Sequence, residues 1–180
     1  MILTQTDAPV AYPVSLDEAK ENGRISHDAE DALISALIAS ATAAVEQITG
    51  RAFCTQYWQA TMDAWEDEIV IPMGPASVTL ISYLDADGAE QTVADTEYTV
   101  DSLGADCRIA PVGAWPTAQE TYNAITIEFA VGASVAPPQI KQAILLLVQH
   151  WFENRGAVAD AQEMPLGVQW LVGMNRRMWV

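Results

Sequence analysis

The hydrophobic pattern of this chain changes its period twice, which predicts helices at both ends around a central run of strands. Near the start, Ser15 and Glu18 have the spacing of a capping box, and a first helix follows up to Gly23. A second helix is predicted from about Asp28 to Gly50, because apolar residues recur there at helical spacing. These apolar residues are Leu33, Ile34, Leu37, Ile38, Ala41, Val45 and Ile48.

From about residue 52 to residue 132 the period is close to two, which is typical of β-strands. The clearest strand covers residues 125–131, where large apolar side chains alternate with small or polar ones. Asp87 and Gly88 form a dipeptide that favours a tight hairpin turn. The sequence therefore predicts an antiparallel meander of about six or seven short strands, inserted between helices.

A third, long helix is predicted from Pro138 to about residue 155, and its apolar residues occupy more than one face. Beside a main stripe, Leu145 and Phe152 lie on a second face and Leu146 lies on a third. Two interpretations stay open: a neighbouring subunit covers the surplus, or the chain wraps this helix by itself. The candidate subunit-contact residues are Leu145, Leu146, Trp151 and Phe152.

The C-terminal tail, residues 157–180, combines three kinds of sequence. Residues 157–163 are small and polar, which is typical of a mobile connection. Residues 166–172 predict a short apolar helix after Pro165. The final residues combine arginine, methionine and tryptophan, the types enriched at protein interfaces, although a tail folded back on its own domain is the alternative. The candidate docking residues are Trp170, Arg176, Arg177, Met178 and Trp179.

Together these elements predict an α+β fold in one domain, residues 1–180. We expect a mostly helical core, made of two N-terminal helices (residues 15–50) and one long C-terminal helix (138–155). The antiparallel β meander (52–132) would be an insertion in this core, and the tail would follow it.

The chain carries 24 acidic and 8 basic residues, a net charge of −16. Such a surface repels phosphates, so specific DNA binding is not expected, and a role of the charge in solubility is the alternative. The N-terminus lacks the pattern of a secretory signal. The longest strongly apolar run, Ala143 to Val148, is far shorter than a membrane span. We therefore expect a soluble protein made in the cytoplasm, without a membrane partner.

The sequence contains few groups that could carry out catalysis. It lacks a glycine-rich phosphate loop, a serine nucleophile elbow and a zinc-protease motif. Cys54 and Cys107 are predicted to be buried free thiols. With only His27 and His150 beside them, a zinc site is not expected. We expect no enzymatic activity, no cofactor and no metal.

In its order of motifs, the chain resembles the head–tail connector (adaptor) proteins of long-tailed phages and gene transfer agents. Each motif alone is only a capped helix, a strand or a hairpin, but their order over most of the chain is specific. The segments that carry the resemblance are SLDEAK (15–20), DALISALIASATAAVEQITGR (31–51), QYW (56–58), SVTLISYLDADG (77–88), EYTVD (97–101), RIAPVGAWP (108–116) and PPQIKQAILLLVQHWFENRGAV (137–158).

The resemblance implies a structural protein of the virion, made in the cytoplasm of a bacterial host for a phage, prophage or gene transfer agent. Copies would form a ring, commonly twelvefold, under the portal at the head–tail junction. DNA would pass through the ring without specific binding, and stopper or tail-completion proteins would attach below. Two alternatives remain: another head- or tail-completion ring protein of the stopper type, and a small acidic binding module or hydrolase outside viruses.

Overall fold

A computed structural model of the protein describes residues 1–9, 11–104, 106–132, 135–154 and 164–176. These residues form two compact units, each with its own core. The sheet unit contains residues 1–10 and 55–133, and the helical unit contains residues 11–54 and 134–180.

The described residues of the sheet unit form eight strands in two antiparallel sheets. The first sheet has five strands in the order β1-β2-β8-β4-β5, and the second has three in the order β3-β7-β6. The strands are β1 (Ile2–Asp7), β2 (Gln56–Met62), β3 (Ile69–Ile71), β4 (Ala76–Leu84), β5 (Glu90–Thr92), β6 (Tyr98–Asp101), β7 (Cys107–Pro111) and β8 (Ile125–Val131).

β8 lies at the centre of the five-stranded sheet, and its alternation fixes the register of both neighbours. Phe129 pairs with Trp58 of β2 and with Val78 of β4. A shift of one residue would turn the apolar side chains of β8 away from the core, so this register is strongly specified. The core of the unit includes Ala60, Met62, Ile69, Ile71, Ile81, Cys107, Ile109, Ile125, Ile127 and Phe129.

The described residues of the helical unit form α1 (Leu16–Gly23), α2 (Asp31–Thr49), α3 (Pro138–Glu153) and α4 (Leu166–Gly173). The predicted capping box of α1 is confirmed, since the Glu18 backbone N–H donates to Ser15 Oγ and the Ser15 backbone N–H donates to the Glu18 carboxylate. α2 ends at Gly50, whose positive φ of 66° suits glycine. The start predicted at Asp28 was wrong, because Asp28 precedes the helix and pairs with Lys20.

Among the described helices, α2 is long and apolar enough to cross a membrane by length and composition alone. Its side chains at Ile34, Ile38, Ala41 and Val45 are nevertheless buried in the core of the helical unit. This burial explains the apolar character of α2 by packing within the chain.

The prediction of a mostly helical core, with the β meander as an insertion in it, was wrong, although the fold is α+β. The eight strands contain nearly as many residues as the four helices, and they build a unit with its own buried side chains. The N-terminal residues also belong to this unit, because β1 pairs with β2 from Ile2 to Asp7. Each of these strands is short and pairs with residues far away in the sequence. The sequence pattern of one strand therefore does not show how large the sheet unit is.

Candidate functional site

The long helix α3 contacts all three other helices of the helical unit. Five of the six residues of its predicted main stripe are buried in the core, and the sixth, Trp151, is half-buried. The opposite faces of α3 are partly covered as well, because α1 and α4 pack beside α2 around it. The buried residues of this stripe are Ile140, Ala143, Ile144, Leu147 and Val148.

The four candidate subunit-contact residues do not form one exposed patch. Leu145, Trp151 and Phe152 are half-buried and pack against the core of their own unit. Leu146 is 36% exposed, and its Cδ1 lies 3.8 Å from the position that a Cβ would take on Gly167 of α4. The chain therefore covers much of the surplus apolar surface of α3 by itself, and Leu146 is the most accessible of the four.

A more exposed apolar surface lies on α4. Leu166, Trp170 and Met174 are 82%, 68% and 55% exposed and follow one another at intervals of four residues. Side chains at this spacing share one face of a helix. The other face holds Val168 and Val172, which are buried in the core. We call Leu166, Trp170 and Met174 the α4 outer stripe.

Of these three residues, only Trp170 was predicted from the sequence as a docking residue. The spacing of these three residues was visible in the sequence. The sequence did not show which side of a short helix, apolar on all sides, would pack inward.

The remaining docking candidates follow α4 in the sequence. Arg176 is exposed one turn after the helix, and the Asn175 side-chain amide donates a hydrogen bond to the Leu171 carbonyl. Arg177, Met178 and Trp179 lie outside the described residues, as does the small and polar segment 157–163. The structure thus shows that Trp170 and Arg176 are both exposed.

The two lysines of the chain stabilise the helical unit. Lys20 Nζ of α1 lies 2.6 Å from Asp28 Oδ1 and 2.7 Å from Asp31 Oδ1 at the start of α2. Lys141 Nζ of α3 lies 3.2 Å from Glu18 Oε1 of α1. Hydrogen bonding to Asp28, then to Asp31, raises the pKa of Lys20. The Ser15 backbone N–H, followed by Lys141, lowers the pKa of Glu18.

The charge of the protein is divided very unequally between its two units. By sequence, the sheet unit carries 14 of the 24 acidic residues but only Arg108 of the eight basic ones. The helical unit carries the other ten acidic and seven basic residues. The fourteen acidic residues are Asp7, Asp63, Glu66, Asp67, Glu68, Asp85, Asp87, Glu90, Asp95, Glu97, Asp101, Asp106, Glu120 and Glu128.

The structure does not assemble the histidines and cysteines into a reactive site. Cys54 and Cys107 are buried and are not joined in a disulfide, as predicted, and burial raises the pKa of Cys107. His27 is exposed, whereas His150 is half-buried on α3. Among the described residues, no three His, Cys, Asp or Glu side chains come close enough to hold a metal ion.

Comparison with known proteins gives a consistent result over the whole chain. Residues 14–161 match the model of a family described as head completion protein. The fold is similar to a chain of the neck of an empty gene transfer agent (GTA) particle computed with C6 symmetry, with a TM-score of 0.83 and 28% identity. It is similar to a chain of the virion of a native GTA particle, with a TM-score of 0.82 and 28% identity.

A third similar chain comes from the neck of a native GTA particle computed with C12 symmetry, with a TM-score of 0.80 and 27% identity. In all three comparisons the match covers 100% of this chain and 97% of the other. No curated protein matches the chain by sequence.

Proposed function

Because this chain belongs to the head completion protein family, we propose that its copies form a ring under the portal, which connects the head of a virion to its tail. The protein is a structural component of the head–tail junction and not an enzyme. DNA passes through the ring, and stopper or tail-completion proteins attach to its other side.

The single observation that supports the ring best is the full-length similarity to chains of GTA necks that were computed with C6 and C12 symmetry. A ring of twelve copies is compatible with both symmetries. Each contact in such a ring is heterologous, because one surface of a copy meets a different surface of the next. The ring therefore needs two separate contact surfaces on every copy.

One of these surfaces, we propose, includes Leu145, Leu146, Trp151 and Phe152 on α3. Leu146 contributes most to it, since it is the most exposed of the four. The surface is small, because the other three residues already pack against the core of their own unit. A small apolar contact is repeated at every interface of the ring, so its effect on assembly is multiplied.

A further proposed surface, separate from the contacts between ring subunits, attaches the ring to the portal or to a neighbouring ring. It contains Trp170 and Arg176 of the described residues, and Arg177, Met178 and Trp179 by sequence. The α4 outer stripe supports this assignment, because three large apolar side chains are exposed on one face of a helix. Aromatic, methionine and arginine side chains are the types that contribute most at interface centres.

The net charge of −16 fits a wall along which DNA slides. Carboxylates repel the phosphate backbone, so DNA passes without adhering to the protein. Specific DNA binding is not part of the proposal.

The proposed function is tested by mixing the purified protein with a portal ring and imaging the product by negative-stain electron microscopy. We expect a second ring with rotational symmetry under the portal, and a matching mass by native mass spectrometry. A protein that stays monomeric and does not bind the portal would contradict the proposal. A protein that binds only to a connector ring already in place would instead be a stopper.

A further inference from the structure

Two tryptophans from different loops of the sheet unit form a stacked pair. Trp65 lies in the loop after β2, and Trp115 lies in the loop after β7. Their ring centroids are 4.4 Å apart and the rings are nearly parallel, at 7°. Trp65 also contacts Tyr83 of β4, with the centroids 5.9 Å apart. Both tryptophans remain partly exposed, and we call them the tryptophan platform.

Hydrogen bonds hold the loops of this platform in place. Trp115 Nε1 donates to the Glu66 carbonyl at 2.8 Å, and the Asn123 backbone N–H donates to Asp63 Oδ1 at 2.8 Å. Trp65 Nε1, in contrast, is buried without a hydrogen-bond partner among the described residues. Burying an unpaired donor costs about 1–3 kcal/mol.

Acidic residues flank Trp65 in the sequence, at Asp63, Glu66, Asp67 and Glu68. Glu66 and Asp67 follow Trp65 directly and are exposed. Arg108 is the only basic residue in the sequence of the sheet unit, and it lies 3.9 Å from the carboxylate of Glu68. One arginine leaves most of the negative charge of the fourteen acidic residues uncompensated. A surface with aromatic rings beside carboxylates has the chemistry that recognises a guanidinium group, which stacks on the rings and pairs with the acids.

We propose that the tryptophan platform binds an arginine side chain on a basic segment of another virion protein. Nucleic acid does not fit this site, because its phosphates would be repelled by the net negative charge of the sheet unit. A second copy of this chain would bring a net charge of −16 to this unit, so a partner with a positive charge is favoured.

This inference goes beyond the proposed function by giving a partner to a surface that the subunit contact and the portal contact leave unassigned. It depends on the proposed function only for the origin of the partner, a neighbouring protein of the head–tail junction. The recognition chemistry itself is testable with the isolated protein.

The first test titrates the full-length protein with a hexa-arginine peptide and with a hexa-lysine peptide by isothermal titration calorimetry at physiological salt. We expect the arginine peptide to bind more tightly, because guanidinium stacks on indole rings better than ammonium does. Trp115→Leu should weaken binding of the arginine peptide about 10-fold, the size of a partly desolvated cation–π contact. Trp115→Phe, which keeps an aromatic ring, should restore part of the affinity.

A matched pair of charge variants separates the platform from the general acidity of the unit. Asp67→Asn and Asp7→Asn remove the same charge, but Asp7 pairs with Tyr57 near the start of β2, while Asp67 follows the other end of the strand. β2 has seven residues, which corresponds to about 20 Å and exceeds the screening length at physiological salt. Asp67→Asn should weaken binding several-fold, and Asp7→Asn should leave it unchanged.

Equal binding of both peptides, with no effect of Trp115→Leu, would overturn the proposal and leave only diffuse electrostatic attraction. If circular dichroism shows that Trp115→Leu does not fold, the comparison of Asp67→Asn with Asp7→Asn decides the question. Equal affinities of these two variants would then overturn the proposal.

Assembly with a portal separates this inference from the proposed function. Trp115→Leu should still form a ring under the portal, but the particle should attach tail components less efficiently. A wild-type protein that forms no ring contradicts the proposed function. A variant that forms the ring and attaches tails normally contradicts the inference about the platform.

Discussion

Two adjacent leucines on α3 allow the same substitution to test the fold and the assembly separately. Leu147 is 2% exposed inside the core of the helical unit, whereas Leu146 is 36% exposed beside α4. Leu147→Ala should lower the free energy of unfolding by about 2–5 kcal/mol, through lost burial and the cavity that remains. This loss is a large part of a typical total of about 5–15 kcal/mol.

Leu146→Ala should destabilise the isolated protein less than Leu147→Ala does, because Leu146 is only partly buried, and it should in addition weaken the ring. Full burial of a leucine side chain contributes about 1.5–3 kcal/mol. The 36% that is still exposed corresponds to about 0.5–1 kcal/mol at each subunit contact. This energy corresponds to a 2- to 5-fold change in the affinity of each subunit contact, and the loss recurs at every contact around the ring.

Urea denaturation followed by circular dichroism measures the first quantity, and native mass spectrometry with a portal ring measures the second. The description of α3 is refuted if Leu146→Ala destabilises the protein as much as Leu147→Ala does. The contact assignment is refuted if Leu146→Ala folds normally and forms rings at the same protein concentration as the wild type.

Three further predictions concern local features. Glu18 has a lowered pKa in the folded state, so its contribution to stability is present above its unfolded pKa and is lost as the pH falls through the folded pKa. Glu18→Gln should therefore lose less stability than the wild type between pH 7 and pH 3 in urea denaturation, and parallel losses would contradict this assignment. Gly88→Ala should lower the free energy of unfolding by about 1 kcal/mol, because φ is +80° in the turn between β4 and β5; an unchanged urea midpoint would show that the turn tolerates a side chain. The thiol of Cys107 should react with iodoacetamide only after urea unfolds the protein, because it is buried and its pKa is raised, and fast labelling of the folded protein would show that its strand opens.

The features that the sequence predicted correctly depend on local chemistry. The capping box of Ser15 and Glu18, the positive φ of Gly50 and the hairpin at Asp87 and Gly88 each follow from neighbouring residues. The alternation of large apolar residues with small or polar ones in β8 was also enough to predict the strand and its buried face. A strand with large apolar residues on a single face buries that face.

The size of the sheet unit and the partners of α3 could not be predicted in the same way. β1 reads only as an extended segment until it pairs with β2, more than fifty residues away in the sequence. The apolar surplus of α3 was visible, but the sequence did not show that α4 would contact part of it. That all 180 residues act as a single domain stays a prediction, as do the subunit-contact and docking residues.

The route of the main chain between its two units has a mechanical consequence. The chain passes from the sheet unit to the helical unit at residues 10–11, returns at residues 54–55, and leaves again at residues 133–134. Tension applied between the units is therefore shared by three covalent links instead of one. Cleavage of any one of these links would therefore leave the two units covalently joined through the others.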